Sequence, residues 1–219
     1  MGRSPLRAIE LVGVAASGKT TLLRALAGRS NRVVDGLAFP THLHVRLGVG
    51  HALRLLPAWL GSRDRWLTEK ELRSMNYVAG WRLAVERRQP GDGVVVFDHG
   101  PLFRLARLRA HGPRVVASRS FQRWSGRAVR AWAPLLDAVV WLDAPDELLV
   151  ARIDGRAEPH RMQGGPAQDT RRFLASYREV YAALLRELEA AGGPHPLRID
   201  TSREAPGAIA EHLIESFGL

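Results

Sequence analysis

The sequence predicts an α/β protein: a five-stranded, mostly parallel sheet in a three-layer arrangement with helices on both faces. Three observations carry that expectation. The apolar run Ala8-Ile9-Glu10-Leu11-Val12 leads into a glycine-rich stretch, Gly13 to Thr20, and then into the helical pattern Thr21–Ala27. Two more continuous apolar runs, Val94–Asp98 and Ala138–Asp143, each end in a carboxylate, the pattern of a buried parallel strand with an acid at its tip. Helical patterns separate these runs, as crossover connections between parallel strands require.

The glycine-rich stretch Gly13-Val14-Ala15-Ala16-Ser17-Gly18-Lys19-Thr20 has the Walker A pattern G-x-x-x-x-G-K-[ST] and sits between a strand and a helix, as that motif must. Gly13 and Gly18 let the backbone curl so that successive N–H groups face a β-phosphate, and the helix starting near Gly18 adds its positive end. Lys19 is expected to reach the β- and γ-phosphates, and the Thr20 hydroxyl to ligate Mg²⁺. Composition strengthens Lys19: the chain has thirty Arg but only two Lys, Lys19 and Lys70. A rigid guanidinium would serve badly where a compact ammonium must fit inside the loop. The expected nucleotide contacts are Gly13, Ala15, Ala16, Ser17, Gly18, Lys19, Thr20 and Thr21, with ATP and Mg²⁺ as the cofactors.

Beyond Gly28, a plausible helix stop, Asn31–Asp35 reads as a short second strand, which puts Asp35 at a carboxyl end where α/β sheets bind ligands. Asp35 is read either as a general base or substrate anchor, or as part of an Asp35-Gly36 turn. Residues 37–66 show no clear period, broken by Pro40, Pro57 and several Gly. His42, His44 and His51 lack an acid or cysteine at ligand spacing, so substrate contact or packing is preferred to a metal. Thr68 with Glu71 forms a capping-box signature for a helix running to about Arg88, stopped by Gln89–Gly93. Residues 37–92 are thus a helical insertion where an acceptor could lie.

Asp98, at the end of the third strand and downstream of Lys19, is the Walker B candidate, a carboxylate near Mg²⁺ or its water shell. Two arginine-studded helices follow; the stripe Phe121, Trp124, Val129 and Trp132 reads as core. After the fourth strand, Ala138–Asp143, Pro145, Asp146 and Glu147 open another helix. That helix runs into the segment 152–166, where Arg152, Arg156 and Arg161 coincide with glycine and proline, the composition of a closing lid whose arginines would stabilise a phosphoryl group in transfer. A long helix, Ala167 to Ala191, a fifth strand, Leu197–Asp200, the turn Thr201–Glu204 and a C-terminal helix complete a single domain over 1–219.

Taken in order, these parts resemble the nucleoside and nucleotide kinases of the P-loop superfamily, especially thymidylate and deoxynucleoside kinases. The resemblance implies ATP-dependent phosphoryl transfer to a small acceptor, a nucleoside or nucleoside monophosphate, with a kinase of another small hydroxylated metabolite as an alternative. It implies phosphate and Mg²⁺ roles for Lys19 and Thr20, a proton-accepting role for Asp35, a metal-side role for Asp98, lid roles for Arg152, Arg156 and Arg161, and a place beside the adenine for the turn holding Arg203. Two departures stand out: His99 occupies a position those families give to Arg, and Val12 replaces the acid they keep directly before the first Walker glycine.

The formal charge of +10 invites a nucleic-acid reading, and no acid interrupts the arginines between Asp98 and Asp137. Solvated helix faces are the preferred account, because no nucleic-acid motif accompanies the charge; a nucleotide-dependent binding module for nucleic acid or an acidic partner is the alternative. A guanine-specificity motif and an ABC-type signature are both absent. Zero cysteines, no membrane-length apolar run, and an N-terminus (Met1–Pro5) without a signal-like segment lead to the expectation of a cytoplasmic protein.

Overall fold

The computed structural model describes residues 8–38, 41–61, 66–89 and 91–219. The N-terminal stretch Met1–Pro5 and the breakers Pro40 and Pro90 lie outside the described residues.

Five strands form one sheet: β1 (Ala8–Val12), β2 (Val33–Asp35), β3 (Val94–Phe97), β4 (Ala138–Asp143) and β5 (Leu197–Asp200). Their order is β2-β3-β1-β4-β5, and every pairing is parallel, so the sheet is fully parallel rather than mostly so. Among the described residues eight α-helices connect them: α1 (Lys19–Ala27), α2 (Thr41–Leu60), α3 (Glu69–Glu86), α4 (Pro101–His111), α5 (Arg119–Trp132), α6 (Asp146–Asp154), α7 (Ala167–Ala190) and α8 (Pro206–Phe217).

Strand alternation sorts the core into two halves. Ala8, Val12, Val95, Phe97, Val139 and Trp141 face one way and pack with residues of α3, α4, α5 and α7, including Met75, Leu105, Trp132 and Tyr181. Ile9, Leu11, Val94, Val96, Val140 and Leu142 face the other way and pack with Leu22, Leu26, Ile209 and Leu213 of α1 and α8. With both faces covered, the strands must be apolar throughout, which is how the sequence reads. The exception is Glu10, which by parity points to the α4 side.

The capping box forms as the sequence predicts. Thr68 Oγ1 accepts from the Glu71 N–H, and Glu71 Oε2 accepts from the Thr68 N–H at 2.7 Å. The insertion also contains α2, a twenty-residue helix with Pro57 in its last turn, where the sequence shows no period. Its inner side buries Leu55 and His51, the latter edge-on to Trp124 at 5.5 Å. Its outer side leaves Val45, Val49, Leu53, Leu56 and Leu60 exposed, so apolar residues fall on both sides and blur the helical signal.

Candidate active site

Val12 delivers the chain at the carboxyl edge of the sheet into a loop whose turns need unusual backbone angles. Gly13 has φ 148° and Gly18 φ 94°, and a Cβ on Gly13 would stand 2.2 Å from the Leu142 carbonyl oxygen and 2.7 Å from Ser17 Oγ. Ala16, at φ 61°, is the one left-handed non-glycine residue described. Gly18 caps α1 without a side chain, and no acid lies in the helix's first turn, so its N–H groups are open to an anion.

Lys19 opens α1 and is buried. Its Nζ donates to the carbonyls of Gly13 and Val14, both at 2.8 Å, and more weakly to Ser17 Oγ at 3.4 Å. The loop thus wraps the ammonium. Burial pulls its pKa down to about 8, with Asp98 opposing the shift and Arg156 adding to it. The Thr20 hydroxyl donates to Asp98 Oδ2 at 2.7 Å, and His99 Nδ1 lies 3.0 Å from Asp98 Oδ1. Burial works against ionisation of Asp98, but the bonds from His99 and Thr20, with the charge of His99 and Lys19, outweigh it and hold the pKa down to about 2. A hydroxyl and a carboxylate held ionised, in contact beside a loop whose helix N–H groups are open to an anion, fit Mg²⁺, which takes few protein oxygens and completes its shell with phosphates and water.

Glu10 supports this edge from below. It is fully buried, and its two oxygens accept the N–H groups of Leu102 and Phe103, both at 2.9 Å, at the start of α4. Burial pushes its pKa up to about 8 despite those bonds and the nearby Arg104. Gly100 makes the approach feasible, since a Cβ there would meet Phe97 Cβ at 2.6 Å and the Glu10 carboxyl at 2.7–2.8 Å. Glu10 therefore anchors the turn that carries Asp98 and His99 to the helix that follows.

These groups open into a cavity of about 1120 Å³. Its wall includes the loop residues Gly13, Ala15, Ala16, Gly18, Lys19, Thr20 and Thr21, with Ser17 buried behind them. Arg152 reaches it from α6, donating to Thr201 Oγ1 and to the Thr201 carbonyl, each at 2.9 Å, and to the Ala16 carbonyl at 3.4 Å. It ties the loop, α6 and the turn after β5 together. Arg156 also lines the wall, 3.5 Å from Glu158, and Arg161 joins from the segment after α6. Arg203 points away, exposed and bonded to Asp200 at 3.1 Å, while Thr201, Glu204 and Pro206 of its turn line the wall.

Asp35 does not reach the cavity. It ends the edge strand β2, two strands from β1, and is exposed there. His44 packs edge-on to Tyr77 at 5.1 Å, and its carbonyl accepts from Asn76 at 2.9 Å. Sequence reasoning missed Glu10, Lys70, Arg107, His111, Phe173 and Tyr177. A lone acid inside an apolar strand was a usable signal for Glu10; the others reach the wall from separate helices and leave no local pattern.

The sequence matches no protein-family model and no curated protein. Solved structures do match in shape. The YorR protein of Bacillus subtilis, in complex with phosphorylated GDP, aligns over 97% of this chain and 96% of its own at 16% identity and TM-score 0.55. A thymidylate kinase from Candida albicans aligns over 98% and 92% at 13% identity and TM-score 0.55. A deoxyadenosine kinase from M. mycoides aligns over 96% and 98% at 11% identity and TM-score 0.52. By its architecture, the chain shares the parallel α/β fold of these solved structures.

Proposed function

We propose that this protein transfers the γ-phosphoryl group of ATP, bound with Mg²⁺, to a small acceptor, a nucleoside or nucleoside monophosphate. The observation that carries the reading is the joint placement of the wrapped Lys19 ammonium and the Thr20–Asp98 pair on the wall of one large cavity. The Lys19 ammonium exchanges its loop carbonyls for phosphate oxygens, and the open N–H groups of α1 hold the β-phosphate. Thr20 and Asp98 hold the metal, whose contribution when bound is to neutralise charge on the transferring phosphates. Arg152 keeps the loop and the lid helix in register, while Arg156 and Arg161 supply positive charge around the group in flight. Asp35, outside the wall, is given no chemical step, and Asp35→Asn is expected to change turnover only a few-fold.

The reading is tested by incubating the protein with MgATP and a pool of nucleosides, nucleoside monophosphates and small hydroxylated or carboxylated metabolites, with mass spectrometry detecting any acceptor that gains one phosphoryl group. Gain that vanishes in Lys19→Ala supports it, and ATP binding with no acceptor modified across the pool counts against it. A second reading, a binding module for a polyanion, has its own observation. Arg119, Arg123, Arg127 and Arg130 are exposed, three or four residues apart on one side of α5. It requires salt-dependent nucleic-acid binding that is lost on reversing Arg123 and Arg127 to Glu, with no phosphorylated small product.

A further inference from the structure

Helix α2 carries an apolar row that the fold leaves uncovered. Val45, Val49, Leu53, Leu56 and Leu60 recur at steps of three or four residues, which places them on one side of the helix, and each is 38–70% exposed. The opposite side holds the buried His51 and Leu55 and meets Trp124 of α5. A third side is fixed by α3, where Asn76 Nδ2 donates to the His44 carbonyl at 2.9 Å and a Cβ on Gly48 would stand 3.3 Å from that nitrogen. Packing thus locks the helix with its row facing outward, and a contiguous exposed apolar patch marks a binding surface. No described residue of α2 lines the cavity, so this surface is separate from the proposed chemistry.

Charge beside the row has one sign. The only charged side chains of α2 are Arg46 and Arg54, both exposed, and the helix has no acid. Arg46 follows Val45 and Arg54 follows Leu53, so the two run along the same flank of the row. Among the described residues neither makes an ion pair. The neighbouring helix α5 also lacks acids and exposes Arg119, Arg123, Arg127 and Arg130. The acids of α3 are already engaged: Glu69 pairs with Arg73, Glu86 with Arg82, and Glu71 closes the capping box.

Charge and area decide what covers the row. A second copy of α2 laid across the first would set arginine near arginine, with no acid from either helix to pair them. A helix of this length is about 30 Å long and presents a strip about 10 Å wide, roughly 300 Å², against about 800 Å² per partner in a stable interface. A lipid surface needs no matching area and supplies anions for the arginines. An apolar face edged by basic residues is the makeup of a helix that lies in the plane of a bilayer interface. At the Leu60 end the half-buried indoles of Trp59 and Trp66 meet with ring centroids 5.2 Å apart, and tryptophan is enriched at headgroup level. Among the described residues no helix is long and apolar enough to cross a membrane, so the contact is with the surface.

We propose that α2 docks this protein reversibly on an anionic lipid surface. The row from Val45 to Leu60 sinks into the boundary between headgroups and acyl chains, while Arg46 and Arg54 meet lipid phosphates and carboxylates. The arginines of α5 add attraction at longer range, which salt screens.

The test uses the full chain and flotation with vesicles of phosphatidylcholine alone or mixed in equal parts with phosphatidylserine. Binding to the mixed vesicles, roughly tenfold or more stronger than to the neutral ones and falling as salt rises, is expected. Leu53→Glu and Leu60→Glu should each weaken it roughly tenfold or more, Leu53→Phe should bind at least as tightly as wild type, and Arg46→Gln combined with Arg54→Gln should weaken it roughly tenfold or more. Insertion is read without relying on those variants, because the chain has no cysteine. An environment-sensitive dye on Leu53→Cys should shift to the blue on mixed vesicles, and the same dye on His212→Cys of α8, on the other side of the sheet, should not. The proposal is overturned if the mixed vesicles do not bind, if the dye at position 53 does not shift, or if binding survives both glutamate substitutions, which would assign it to charge alone. It is equally overturned if light scattering finds a dimer that Leu53→Glu dissociates, since a second copy then covers the row, or if the row serves duplex DNA instead, with DNA binding lost in Leu53→Glu and no vesicle binding in wild type.

Discussion

Lys19 and Glu10 are two buried ionisable groups displaced in opposite senses, and each makes a pH prediction. Burial, with Arg156 adding and Asp98 opposing, pulls the Lys19 ammonium down to about 8. Phosphates favour its charged form, so nucleotide affinity is expected to fall as pH rises through about 8, and Lys19→Ala to erase that dependence while lowering turnover on the order of 10³-fold. Titration calorimetry across that range reads the first, and steady-state assay the second. Glu10 has a folded pKa of about 8 against an ordinary 4.5, so the folded chain holds the proton more tightly than the unfolded one. Stability is then full below the unfolded value and declines as pH rises through the interval up to the folded one. Denaturant melts at intervals from pH 4.5 to 8 should show this decline, and a Glu10→Gln protein should show it flattened; an equal slope in both would assign the decline to other groups.

At the scale of elements, the turn between β3 and α4 and the start of α3 both set where side chains enter the cavity. Gly100→Ala forces a methyl against Phe97 and the Glu10 carboxyl, and overpacking of this kind costs about 1–3 kcal/mol. Because Asp98 and His99 hang from the same turn, the variant should lose Mg²⁺-dependent nucleotide affinity as well as stability. Thr68→Ala removes one half of the capping box and should cost about 1 kcal/mol in a urea melt. Since Thr68, Lys70, Glu71 and Ser74 line the cavity, acceptor KM should respond more than ATP KM. The capping box was legible because its signal is local, two residues three apart. Helix α2 was not, since its exposed row of Val45, Val49, Leu53, Leu56 and Leu60 and its buried Leu55 distribute apolar residues around the axis.

For the molecule as a whole, the cavity at the sheet edge is lined from both layers of helices, so under the proposed function a bound nucleotide would join them. Saturation with MgATP at about 100 times Kd should add about 2.7 kcal/mol and raise Tm by about 5–10 °C, and Lys19→Ala should abolish the shift. A scanning-fluorimetry series with and without MgATP decides this. The sequence alone determined the parallel α/β class, the Walker loop, the carboxylate at the tip of β3 and the order of the strands along the chain. These features are written in contiguous residues: strand burial on both faces demands unbroken apolar runs, and the loop's angles demand glycine at fixed spacing. Tertiary structure alone decided the order of strands across the sheet, and with it the place of Asp35, which lies at the edge while the loop follows a central strand. It also decided the rest of the site. Glu10 meets Leu102 and Phe103 across ninety-two and ninety-three positions of chain, and His111 meets Arg161 across fifty. Contacts so distant in sequence are fixed by how helices pack on the sheet, a choice that no local pattern of residue types records.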